Sequence, residues 1–343
     1  MTILVADHRT VHRVDPERGR LRPVEGLESR GRQDAVAGFG APGSADRRPT
    51  SVAIDPFDPA RAWAGTRSDG VYRSEDGGAT WRPAGLAGRR VMVVVPSPVE
   101  EALVWAGTEP SAVWRSDDAG GTWREMKGLD ALSSSSDWSF PPRPETHHVR
   151  WIACAPDDPG RLWVAIEAGA LVGTPDGGET WHDRVPGGPY DTHELAVHPD
   201  RPETLRAAAG DGYYESRDGG ATWERPRDGL DVGYLRSVAI DPGDPETVVV
   251  SAASHAHAAY TAGRSDGRLY RRVGDGPWER VTAGWPAPPD TIAPLLAAGH
   301  GPGEFWAADE RGVHRSEDGG AAWERVAAFE ETPRHLRGLA LGD

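Results

Sequence analysis

An eight-residue pattern, S/T-x-D-x-G-x-T/A-W, recurs at Ser74–Trp81, Ser116–Trp123, Thr174–Trp181, Ser216–Trp223 and Ser316–Trp323. A sixth copy, Arg272–Trp278, is one residue short and keeps only Gly276 and the tryptophan. The six tryptophans lie 42, 58, 42, 55 and 45 residues apart, a period suited to four-stranded propeller blades with insertions. At 343 residues the chain is longer than most single cores, so it is either two domains or one repeat array. The repeat decides for the array.

Each box follows the same preamble. In residues 52–81 an apolar run (Val52–Ile54) is followed by an Asp/Pro turn and a second run around Trp63. A third run (Val71–Arg73) leads into the box, and a fourth starts at Trp81. Runs this short, bounded by turn residues, read as strands rather than helices. The preamble places blades at about 50–85, 90–127, 149–185, 193–226, 236–282 and 291–327. The two ends of the sequence supply another, since Val11-His12-Arg13-Val14 echoes Val313-His314-Arg315-Ser316 and Leu336–Leu341 reads as a first strand. The expectation is one all-β domain over 1–343, a seven-bladed β-propeller of four-stranded antiparallel blades. Segment 336–343 with 1–24 would form the closing blade, leaving no open sheet edge.

The boxes resemble the Asp-box (bacterial neuraminidase) repeats of sialidases, sortilin-type receptors and photosystem assembly propellers. The resemblance covers nearly the whole chain and implies the fold. Function does not follow from it, because one fold carries many activities. Sialidases use an arginine triad, a Tyr/Glu pair and an acidic Asp, their first arginine lying in Arg-Ile-Pro. Arg47-Arg48-Pro49 holds a similar place here but differs in the middle, and no tyrosine matches the nucleophile by motif. No sialidase role is therefore carried over. The box aspartates Asp76, Asp118, Asp176, Asp218 and Asp318 read as turn formers.

The formal net charge of −15 argues against nucleic acid or an anionic membrane as partner. A single cysteine, Cys154, excludes a disulfide framework and a Cys-rich zinc site. No apolar run approaches the ~20 residues of a membrane span, and Met1–Arg13 carries no basic leader. A reduced, cytoplasmic monomer is expected.

Three long segments, 25–49, 128–148 and 254–267, fall on the face opposite the boxes, where binding loops usually sit. The residues entering the inner strands on that face are Thr50, Arg90, Arg150, His193, Arg236 and Arg337, and Arg67, Glu109, Glu167, Asp309 and Asp7 end the second strands. Arg90, Arg150, Arg236 and Arg337, with His148, Trp138 and Tyr234, are the expected ligand contacts, for a small anionic or saccharide-like molecule. His193, Asp191, Glu167 and Glu109 are the candidate acid–base residues of a hydrolase or lyase. His148, His193, His255 and His257, completed by Asp191 or Glu167, form a candidate site for a divalent transition metal. Trp138 and Phe140, on a Pro-rich stretch, read either as a lid over the channel or as rim packing. The alternative function is a non-catalytic propeller gripping a peptide or protein partner.

Overall fold

The computed structural model describes residues 1–27, 46–286 and 291–343. Most of the predicted insertion 25–49 lies outside them. The described chain is nearly all β, its exceptions being two short 3-10 turns and the helix Ala256–Tyr260. The strands form antiparallel sheets of the propeller kind. Pro49–Ile54, Ala62–Thr66, Val71–Ser74 and Arg82–Pro83 make one four-stranded sheet, and Arg90–Pro96 to Arg124–Met126 make the next. Where the fourth strand is reduced, a single bridge remains, Gly173 to His182 and Glu215 to Glu224.

The inner strands pack on one another in cyclic order. Pro49–Ile54 contacts Arg90–Pro96, which contacts Val149–Cys154, then Thr192–His198, Tyr234–Asp241, Leu295–Ala298 and Leu336–Gly342, which returns to Pro49–Ile54. Closure depends on Leu336–Gly342 pairing antiparallel with Thr2–Asp7, with Ile3 opposite Leu341 and Val5 opposite Leu339. A parallel bridge, Ala328 to Arg20, joins that sheet to its neighbour.

The boxes act through local hydrogen bonding. Asp76 accepts from the Ser74 hydroxyl at 2.7 Å, the Thr80 amide at 2.8 Å and the Thr80 hydroxyl at 2.7 Å. The Gly78 amide returns to Ser74 Oγ at 2.8 Å, with φ of 83° that a side chain would strain. The same pattern recurs around Asp118, Asp176 and Asp218. Tryptophans then tie blade to blade, Trp63 donating to the Ala119 carbonyl at 3.1 Å and Trp123 to that of Ala84 at 2.7 Å.

Candidate functional site

The inner strands are not regular at their channel mouth. In five of them the pairing with the second strand skips one residue, and the skipped residues are Thr50, Arg150, His193, Arg236 and Arg337. A bulge breaks the in–out alternation and re-aims the extra side chain. One position repeated around a ring therefore gathers an imidazole and three guanidinia at the mouth.

Arg90 departs from the expectation. The bulge in its strand falls two residues later, at Met92, so Arg90 pairs with Glu109. Arg90 Nη1 lies 3.6 Å from Glu109 Oε2, and Glu109 also takes a two-pronged ion pair from Arg143. Glu109 thus anchors the 128–148 insertion, whose Phe140 ring stands edge-on to His148 at 4.9 Å. Trp138 is no lid. It is buried among Leu129, Ile166 and Ala170, and its indole donates to Ser134 Oγ at 3.1 Å.

Arg236 is also spoken for. It is buried, and its guanidinium donates to the carbonyls of Ala293 at 2.6 Å and Leu336 at 2.9 Å while stacking on Tyr260. Arg150 is more open, with Nε 3.4 Å from Glu167 Oε2. Among the described residues, the guanidinia of Arg337 and Arg67 have no hydrogen-bond or ion-pair partner. Burial and the nearby charges of Arg67, Arg150 and Arg236 push Arg337 down to about 10. Arg67 shifts the same way through burial and the charge of Arg48. These cations repel one another across the mouth.

Beside them stands an acid–base cluster. His148, buried, lies 2.9 Å through Nε2 from Glu167 Oε2. Burial alone would raise the Glu167 carboxyl, but the His148 hydrogen bond and the Arg150 charge outweigh it and hold Glu167 well below the usual carboxylate range. His193 has no exposed side-chain surface, and its Nε2 lies 3.7 Å from Asp191 Oδ2 and 3.3 Å from the Tyr234 hydroxyl. Burial pushes Asp191 up and His193 down, favouring the neutral form of each. Glu167, Asp191 and His193 bring ligand-type atoms within 4.8 Å of one another. His255 and His257 join no such group among the described residues. The extended segment expected for them is instead the helix Ala256–Tyr260, where His255 caps the Ala258 amide and both rings face solvent.

Arg67, Tyr260 and Arg143 were missed as site residues. Arg67 carried a signal, being the one cation at a position that is acidic in four other blades. Tyr260 and Arg143 sit in insertions, where no repeat register locates them.

No family model matches the sequence, and a search of curated proteins finds no relative. Solved structures do resemble it. A GH74 enzyme from Niastella koreensis aligns at 15% identity over 95% of this chain and 52% of its own, with a TM-score of 0.70. The GH74 xyloglucanase from Xanthomonas campestris aligns at 16% identity over 99% and 52%, with a TM-score of 0.66. YCF48 bound to D1 peptide aligns at 20% identity over 80% and 81%, with a TM-score of 0.55. The chain spans about half the length of the GH74 structures. At these identities the likeness is one of fold.

Proposed function

We propose that this chain is a seven-bladed propeller, the eight-stranded sheet counting as two blades, whose mouth binds a small molecule bearing a carboxylate, phosphate or sulfate. One observation carries the reading. Arg337, with no hydrogen-bond or ion-pair partner among the described residues, stands in the field of Arg67, Arg150 and Arg236 in a protein of net charge −15. Like charges so placed gain most from an anionic ligand, which relieves their repulsion and accepts from guanidinium forks. The neighbouring cluster supports hydrolase or lyase chemistry on that ligand. Glu167 and His148 would supply a charged carboxylate and a proton carrier, and Asp191 with His193 a second pair of opposite tendency.

Calorimetric titration with sulfate, phosphate and a set of carboxylated and uncharged sugars tests the proposal. Saturable binding of an anion, lost in Arg337→Ala, is the expected result. Binding of uncharged sugars alone would overturn it. Turnover of an ester or glycoside of the bound anion, lost in Glu167→Gln with binding retained, would establish the enzyme. The resemblance to YCF48, solved with a bound peptide, favours a second reading in which the mouth grips the carboxylate of a peptide. Anion binding without turnover, with tighter binding of acidic peptides, would select it.

A further inference from the structure

His193 is oriented by a contact outside the mouth. Its Nδ1 lies 2.6 Å from the Leu235 carbonyl, an acceptor only, so Nδ1 carries the proton. Nε2 then presents a lone pair. What it faces is unusual, namely Asp191 Oδ2 at 3.7 Å and, within the same 4.8 Å group, a Glu167 oxygen. The Tyr234 hydroxyl, 3.3 Å from Nε2, is the hydrogen-bond donor recorded at that nitrogen. Three ligand-type atoms from three residues thus lie together, with the Tyr234 hydroxyl beside the imidazole and His148 and Arg150 beside Glu167.

The set is also sterically prepared. Asp191 Oδ1 is held by the Ala168 amide at 2.9 Å, which leaves Oδ2 turned toward the imidazole. Gly210 lies against the pair, and a methyl group there would come within 2.1 Å of Asp191 Oδ2 and 3.3 Å of His193 Cε1. Its amide bonds the Asp191 carbonyl at 2.8 Å, so the backbone itself closes the back of the site. Imidazole held through its far nitrogen by a backbone carbonyl is the arrangement that orients histidine ligands in metal proteins.

We infer that His193, Asp191 and Glu167 form a binding site for one divalent first-row transition ion. One imidazole and two carboxylates suit Zn²⁺ or Mn²⁺ better than Ca²⁺ or Mg²⁺, which take oxygen alone. Metal–ligand bonds of ~2.0–2.1 Å in a tetrahedron separate the ligand atoms by about 3.4 Å. The present 3.7 Å between His193 Nε2 and Asp191 Oδ2 needs only a few tenths of an ångström of closure. Glu167, longer and more flexible, would swing its carboxylate from His148 to complete the third bond. Arg150, 3.4 Å from the Glu167 carboxylate, opposes the ion, whose own two charges the two carboxylates match. The fourth position faces the mouth, so an anion held by Arg150 and Arg337 could complete it. The ion site itself does not require that anion.

The test uses the full chain without a histidine tag, stripped with chelator and dialysed. Zn²⁺ and Mn²⁺ are titrated by calorimetry and thermal shift, and Co²⁺ by its visible spectrum. One ion per chain is expected, with a rise in Tm and a Co²⁺ band of four-coordinate intensity. Asp191→Asn and His193→Asn should each weaken binding at least tenfold. Asn at 191 still accepts from the Ala168 amide, so that variant keeps the local fold. The double change His255→Ala with His257→Ala should leave metal affinity within about twofold. Absence of saturable binding, or binding that survives both Asp191→Asn and His193→Asn, overturns the proposal. Lost metal binding in Asp191→Asn alongside retained anion binding would separate this site from the anion reading.

Discussion

The guanidinium of Arg236 donates to the carbonyl of Leu336 at 2.9 Å, one residue before Arg337. One arginine of the mouth therefore fixes the strand that presents another. The two side chains share a repeat position and divide its work, Arg236 bracing three segments of backbone while Arg337 keeps its donors for the channel.

This division predicts opposite phenotypes. Arg236→Met leaves the Leu336 and Ala293 carbonyls unpaired in the interior and should cost about 3 kcal/mol of stability. Arg337→Ala removes a partly buried cation that has no partner among the described residues and is repelled by its neighbours, so it should not lower stability. Urea denaturation of the two variants checks both.

For anion binding the order reverses among the folded variants. Arg337→Ala and Arg67→Ala should each weaken it at least tenfold, about 1.4 kcal/mol. Arg337→Lys should not restore it, because an ammonium lacks the planar fork. Calorimetry at two salt concentrations distinguishes site binding from general screening.

Glu194 gives a pH signature. Burial pushes its carboxyl up to about 8, partly opposed by the Ser237 hydroxyl that donates to it. A folded pKa above the unfolded ~4.3 means the native state holds the proton longer. Its contribution is complete at low pH and is lost as pH rises from about 4.3 to about 8. Glu194→Gln should remove that loss, so the variant gains on the wild type toward pH 8. The difference between their denaturation midpoints from pH 5 to 8 is the readout.

The Glu109–Arg143 pair predicts a local effect. Glu109→Gln weakens the two-pronged anchor of the insertion to a neutral contact. Amide exchange should quicken over residues 139–147 and stay unchanged in the strand Val104–Glu109. Equal exchange in both proteins would show that Phe140 and Trp138 alone hold the loop.

The architecture was legible because the box is self-contained chemistry. Ser74, Asp76, Gly78 and Thr80 satisfy one another within seven residues, so spacing alone identifies the turn. The mouth was legible wherever register followed from the repeat, as at Arg150, His193 and Arg337. It failed at Arg90, because the uniform apolar run Val91–Val95 carries no mark of the bulge at Met92. It failed again where side chains choose partners through space. Nothing in the order of residues says that Arg236 will reach a carbonyl 100 positions away, or that Trp138 will turn inward. His255 and His257 were misread because a five-residue helix in an insertion leaves no periodic trace.

Arg337 lies on Leu336–Gly342, the inner strand that comes last in sequence and pairs with Thr2–Asp7. On a ribosome, Arg67, Arg150 and Arg236 are all translated before Arg337. The ring stays open until that strand finds its distant partner, Thr2–Asp7. If the mouth binds an anion as proposed, a single proteolytic cut before residue 336 should weaken that binding while sparing every box.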